Sequence, residues 1–340
     1  MSRLILLSIL GVALLLFLVF RDQPQALAEA GVEVSPAAAD NPIEVGYVTW
    51  GRDLDAAYAR SAASGKPVLV LFQEVPGCHG CWEFGKNVLR DPLLVEAIED
   101  EFEPVLVFNN QGGEDRRLLN AFSEPAWNYQ VIRFLDAEGN DIIPRQDRVW
   151  TLGGVASRMI ETLEVAERPV PRYLEALSLE QQADRHATGA FSMFCYWTGE
   201  VSLGQLDGVV ATEAGWLDGR EVTHVTYVPE IISADQLAEQ ARTARCAADK
   251  AYSPAPGNDR PARLGGLAVG ELRGYREARA SDQNRQLTGY ETLLTAPGLT
   301  EMQTTKLNAF IRTNPAEALS WLSPRQAEFI KKETSAASRR

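Results

Sequence analysis

Leu4 to Phe20 is apolar save for Ser8 and Gly11, and at about 1.5 Å of helical rise per residue it approaches the hydrocarbon thickness of a bilayer. Arg3 and the amino terminus supply a positive flank, so residues 1–22 predict a signal anchor. Ala26-Leu27-Ala28 offers a cleavage site behind Arg21 and Asp22, and cleaved or not, the segment exports the rest of the chain. Residues 23–46 are rich in Ala, Pro and Glu without apolar periodicity, as in a linker. Helical spacing over Leu54–Ala63 stops at Gly65, and the continuous apolar run Pro67–Phe72 reads as a fully buried strand. A helix beginning near Cys81, a second over Pro92–Phe102 and a strand over Val105–Phe108 complete a β-α-β order. Val131–Leu135 reads as a further strand, turned by Asp136–Asn140 into a short partner at Ile142-Ile143.

The pattern breaks at Arg168-Pro169-Val170-Pro171, which sets a domain boundary. A polar helix over Ser178–Arg185 then leads to an apolar strand at Ala190–Phe194. Val209–Trp216 and Val222–Val228 read as strands joined through the hairpin signal Asp218-Gly219. A helix over Ala234–Cys246 and a loop over residues 253–266 come next, and the tail beyond Leu287 is mainly helical, including Met302–Phe310 and a helix opened by Ser323-Pro324. The expected order is therefore an anchor (1–22), a linker (23–46), a first domain (47–170), a linker helix (171–186) and a second domain (187–330).

Composition narrows the chemistry. A formal charge of -13 repels phosphate backbones, which argues against nucleic acid as a partner. Four cysteines, Cys78, Cys81, Cys195 and Cys246, are too few for a disulfide-stapled scaffold and read better as chemistry, with Cys246 equally readable as a small buried hydrophobe. The chain has neither a Gly-x-Gly-x-x-Gly following a strand nor a Cys-x-x-Cys-His, so no nucleotide, flavin or haem cofactor is expected.

Val75-Pro76-Gly77-Cys78-His79-Gly80-Cys81 comes directly after a buried strand and opens a helix. Free amides and the dipole of a helix N-terminus stabilise a thiolate at Cys78, making it the attacking sulfur, and Cys81 one turn on is placed to resolve the mixed disulfide. A structural zinc site would need about four ligands, and the chain offers this one pair and 3 histidines; a structural disulfide would close only a short loop. Over residues 48–165 the strand-CxxC-helix order resembles the thioredoxin superfamily, which implies Cys78 as nucleophile and Cys81 as resolving cysteine. The Val-Pro-Gly lead-in resembles a group of bacterial thioredoxin-like proteins. Where that superfamily places a cis-proline, Asn128-Tyr129-Gln130 stand here, with Pro125 further back.

Cys195 ends the next apolar strand and is followed by Tyr196 and Trp197. With Leu206–Val210, Ala214-Gly215-Trp216, Glu221 and Val225–Ser233, the segment from Ala187 to Ala244 resembles methionine sulfoxide reductase A. The resemblance implies Cys195 as nucleophile toward the sulfoxide sulfur, Tyr196 and Trp197 as the aromatic pair holding the substrate methyl, and Glu221 as the acid. Asp282 matches a later substrate-binding aspartate loosely, with Leu287 at the tyrosine position of that motif. Phe194 replaces the family's glycine, and the shortened Leu217–Arg220 segment removes a tyrosine. The chemistry has its own logic: a sulfoxide oxygen leaves only when protonated, so a carboxylic acid in an apolar pocket suits the task, and the resulting sulfenic acid needs another thiol, such as Cys246 or Cys78. Glu221 also reads as a solvated hairpin charge, and His224 and His186 read as surface residues.

The expected fold is a thioredoxin-like α/β domain followed by a methionine sulfoxide reductase A-like α+β domain. The expected protein is an exported, membrane-anchored thiol oxidoreductase. Its expected partners are oxidised protein thiols or methionine sulfoxide and a thiol electron donor. The alternative is a thiol-disulfide oxidoreductase whose second domain only recognises substrate.

Overall fold

A computed structural model describes residues 36–126 and 130–337. The expected anchor and the first part of the linker lie outside the described residues, as do Asn128 and Tyr129. Among the described residues no helix is long and apolar enough to cross a membrane. The chain forms two compact units that divide between Arg148 and Val149.

In the first unit, a short helix Pro36–Ala39 and a 3-10 turn Ile43–Val45 precede α1 (Leu54–Ser64), β1 (Val68–Gln73), α2 (His79–Asn87), α3 (Pro92–Glu101), β2 (Glu103–Phe108), α4 (Gly113–Ala121) and β3 (Val131–Leu135). Asp53 caps the amide of Ala56, and Gly65 ends α1 in the left-handed region at φ 72°. The sheet runs β2-β1-β3, with β2 parallel and β3 antiparallel to the central strand. All six residues of β1 are buried, because Val68, Val70 and Phe72 pack with Leu54 and Ala57 of α1 and Leu118 and Leu119 of α4. Leu69 and Leu71 on the other face are equally buried. At about 1.5–3 kcal/mol per buried large apolar side chain, this strand fixes where its C-terminal end points, and that end carries the CxxC loop. The expected partner at Ile142-Ile143 is reduced to a single bridge between Leu135 and Asp141.

The second unit begins earlier than the proline break suggests. Helix α5 (Leu152–Val165) packs on α6 (Arg172–Glu180), and the hydroxyls of Ser157 and Ser178, 2.9 Å apart, share the side-chain amide of Gln182. The polar helix expected over Ser178–Arg185 is thus the end of α6 and a 3-10 turn, and the prolines only join two packed helices. There follow β4 (Ala187–Ser192), α7 (Tyr196–Gly204), β5 (Val209–Leu217), β6 (Arg220–Tyr227), α8 (Ala234–Thr243), β7 (Lys250–Ser253), β8 (Arg263–Leu264), β9 (Leu267–Glu271), β10 (Arg276–Glu277), α9 (Glu301–Phe310), α10 (Pro315–Ser320) and α11 (Pro324–Ala337). Seven strands align as β10-β5-β6-β4-β7-β9-β8, antiparallel except for β7 with β9. Asp218 and Gly219, both at positive φ, make the tight β5-β6 turn.

Lys306 of α9 is wholly buried and spans to the carbonyl end of α7, donating to Gly204 O at 2.9 Å and Leu206 O at 2.7 Å over the ring of Trp321. Burial pushes its ammonium down to about 8, yet the cation meets the negative end of the helix dipole. Replacing Lys306 with alanine is expected to cost about 3 kcal/mol, since charged hydrogen bonds are worth about 1.5–3 kcal/mol and a cavity is added. An unchanged urea unfolding midpoint in Lys306→Ala would show that this lysine does not anchor the helix.

Candidate active sites

The first site grows from the end of β1. Gln73, fully buried, donates through Nε2 to Glu44 O at 2.7 Å and Cys81 O at 3.4 Å. Glu44 Oε1 accepts the amide of Gly77 at 2.9 Å, and Asn110 Oδ1 accepts that of Val75 at 3.3 Å, so two separate segments hold the Val-Pro-Gly turn. Gly77 admits no side chain: a Cβ there would stand 2.4 Å from Glu74 O and 2.5 Å from Cys81 Cβ. The Val75-Pro76 bond is cis, whereas Gln130 occupies the position before β3.

Cys78 is the N-cap of α2, half-buried, and α2 starts at His79, earlier than the Cys81 start read from the sequence. Its Sγ lies 3.7 Å from that of Cys81, and both thiols are free. Cys81 is fully buried, donates to Gln130 Oε1 at 3.8 Å, and has its thiol pushed up to about 12, by burial first and by Cys78 second. The Glu74 carboxylate, Cys78 Sγ and Cys81 Sγ all lie within 4.8 Å of one another. Exposed His79 stacks on Trp82, whose ring also carries Lys86 Nζ at 4.6 Å. Sequence pattern identifies the two cysteines but misses Glu44, Gln73 and Glu74, which no spacing rule ties to a CxxC; Gln130 stands in the segment where the resemblance expects a cis-proline.

This arrangement, a fully buried central strand turning into a CxxC at a helix N-terminus, is the setting of dithiol exchange. Residues 49–137 match the profile described as thioredoxin-like. They form a thioredoxin-like domain. Among solved structures the chain is similar to a DsbH oxidoreductase, with 18% identity over 37% of this chain and 90% of that chain at a TM-score of 0.30. No curated protein matches the chain.

The second site lies in the second unit. Cys195 is half-buried and is the N-cap of α7, a helix absent from the sequence reading. Glu221 Oε2 accepts the amide of Tyr196 at 3.0 Å, so the neighbouring strand supplies an acceptor for one of the first free donors of this helix. Thr223 Oγ1 donates to Tyr196 O at 3.1 Å, holding the same turn from β6. The Tyr196 ring meets Trp197 and Trp216 edge-on, with centroids 5.6 and 5.9 Å away, and Trp197 Nε1 donates to the backbone carbonyl of Asp282 at 2.9 Å. Burial raises the Tyr196 phenol, helped by the charges of Asp282, Glu221 and Cys195. Cys195, Tyr196, Trp197, Glu221 and Asp282 therefore come together around one helix turn, although 87 positions separate the first from the last.

Two features of this site have no sequence signal. Glu200 is fully buried about one turn into α7, accepts the amide of Asn284 at 3.2 Å through Oε1, and among the described residues has no partner for Oε2. Desolvation pushes its carboxyl up to about 8, with the Glu213 charge adding to the rise. Phe194, adjoining Cys195, is 87% exposed. Cys246 departs from its expected helix: α8 ends at Thr243, leaving the cysteine half-buried in the turn that leads to β7, where the Asp249 amide bonds Ser192 O at 3.3 Å. His224 is half-buried rather than fully exposed, packed against Tyr275 at 5.0 Å between ring centroids, and burial lowers its imidazole. His186 is half-buried, with Nε2 2.8 Å from Leu179 O.

Proposed function

We propose that the chain is an exported thiol oxidoreductase that reduces oxidised sulfur, methionine S-sulfoxide foremost, with electrons entering through Cys78 and Cys81. The observation that carries the thiol chemistry is the pair of free sulfurs 3.7 Å apart at the N-terminus of α2. Cys78 thiolate attacks a disulfide, forming one S–S bond and releasing one thiolate. Cys81, its thiol favoured by burial, must lose its proton before it attacks the Cys78 sulfur and frees the second thiolate. The Glu74 carboxylate, within 4.8 Å of the Cys81 sulfur, is the candidate acceptor of that proton once it moves closer.

At the second site, Cys195 attacks the sulfoxide sulfur and the oxygen passes to it as a sulfenic acid, leaving the thioether. A thiol then condenses with the sulfenic acid, forming a disulfide and one water. Cys246, on a segment tied to the strand that leads into Cys195, is the candidate for that thiol within the same unit. The Glu221 carboxyl beside the Tyr196 amide supplies the oxygen's proton, the Tyr196-Trp197-Trp216 rings receive the methyl group, and exposed Phe194 gives a peptide substrate an apolar contact. The apolar run before residue 22 supports export, with the membrane as a partner through that segment.

Turnover of methionine S-sulfoxide by the full chain, with dithiothreitol as reductant, tests the second site. Wild type is expected to turn over, Cys195→Ser to be inactive and Glu221→Gln to lose at least a hundredfold. No turnover in wild type, with a protein disulfide still reduced through Cys78, would leave a disulfide oxidoreductase whose second unit serves recognition alone.

A further inference from the structure

We propose that Glu74, Cys78 and Cys81 form a three-donor site for a thiophilic divalent cation of the zinc class, open at its fourth position, which holds the dithiol reduced. With Zn–S bonds of about 2.3 Å, a tetrahedral centre has an S···S edge of about 3.8 Å. The two sulfurs stand 3.7 Å apart, so both reach one cation without backbone movement. A carboxylate oxygen at about 2.1 Å from the same centre needs an S···O edge of about 3.6 Å. The Glu74 oxygen lies within 4.8 Å of both sulfurs and its side chain is half-buried at the end of β1, so completing the site asks only that this side chain move closer by about an ångström. The frame is fixed by the amides of Val75 and Gly77 on Asn110 and Glu44, and by the absence of room at Gly77.

Two sulfurs and one oxygen select zinc, cadmium or cobalt over magnesium or calcium, which want oxygen alone. On binding, both thiols release their protons, the carboxylate coordinates as it stands, and no electrons move. Two thiolates, one carboxylate and a dication sum to one negative charge, which the amide end of α2 favours. The cation binds the reduced pair only, so it opposes attack on a disulfide, and it is released when a disulfide substrate takes two electrons from the pair, leaving as two thiols while Cys78 and Cys81 close to a disulfide. The sequence hides this site because a lone CxxC lacks a second ligand pair, and Glu74, four positions before Cys78 on the strand end, obeys no ligand spacing.

The test titrates cobalt(II), then zinc(II), into reduced full-length protein carrying Cys195→Ser and Cys246→Ser, so that the pair provides the only thiols. One equivalent of cobalt is expected to give a thiolate-to-metal charge-transfer band that zinc abolishes. Glu74→Gln is expected to weaken cobalt binding at least tenfold, with Glu83→Gln unchanged, and saturating zinc to slow alkylation of Cys78 at least tenfold until a chelator is added. Absence of the band, or an affinity in Glu74→Gln within twofold of its parent, would overturn the three-donor site.

Discussion

Replacing Cys81 with serine is expected to turn a transient mixed disulfide into a stable one. Cys78 still attacks, but the sulfur one turn deeper that would displace the bound partner is gone, and release then depends on thiols from solution. Intramolecular attack gains an effective concentration that reaches molar values and beyond when the geometry is fixed, and the Cys78–Cys81 spacing is held by Gln73, Gly77 and Glu44. Turnover in Cys81→Ser should therefore fall by about a thousandfold or more, while a covalent adduct accumulates through Cys78 and dissolves on adding dithiothreitol. Peptide mass spectrometry of non-reduced digests checks both points. A Cys81→Ser protein that turns over normally, or whose adduct sits on Cys195 instead, would contradict the assignment of roles in the pair.

The second large effect concerns Glu200. Its carboxyl, on the buried side of the Cys195 helix near Glu213, is raised from 4.5 to about 8, so in the folded protein it keeps a proton that the unfolded chain gives up above its ordinary value. For an acid raised on folding, the extra stability is complete below the unfolded value and is lost as pH climbs to the folded one. The window is thus about pH 4.5 to 8, and at about 1.4 kcal/mol per unit of displacement the loss across it is on the order of several kcal/mol. Glu200→Gln keeps the shape and a donor without a titrating group. Urea unfolding at pH 5 and pH 8 should show wild type weakening over this interval far more than the variant. Parallel curves for the two proteins would show that Glu200 does not carry a proton in the folded state.

Much of the first unit was legible because β1 announces itself. A six-residue apolar run buried on both faces and flanked by Gly65 and Val75-Pro76-Gly77 has few other readings. The hairpin at Asp218-Gly219 and the helix opened at Pro324 were legible for the same reason, since turn and start residues with a fixed backbone preference mark them. Helices α4, α5 and α7 were not. Helix α7 starts with Tyr196 and Trp197 and contains two glycines, so its intrinsic preference is weak and packing decides it: Gly199 lies where a Cβ would meet Thr223 Oγ1 at 1.9 Å. The boundary read at Pro169 and Pro171 differs from the division between Arg148 and Val149 because those prolines look like a linker, although the helices on either side share a part-buried hydroxyl pair.

At the candidate sites, the cysteines were easier to find than the polar residues around them. Cysteines are few, and their chemistry limits what each can do. Glu74, Gln130 and Glu200 are common polar residues whose meaning comes only from what three-dimensional folding brings near them: two sulfurs within 4.8 Å, a thiol at 3.8 Å, and burial with one unpartnered oxygen. Glu221 shows the middle case, since its match to the acid position came from a resemblance and its bond to the Tyr196 amide came from the fold.

The central claim is that Cys78 is the entry point for thiol exchange, and the most direct test is steady-state reduction of insulin disulfides by the full chain with dithiothreitol, comparing wild type, Cys78→Ser and Cys195→Ser. Loss of turnover in Cys78→Ser with turnover kept in Cys195→Ser is the predicted result; turnover surviving in Cys78→Ser would contradict it.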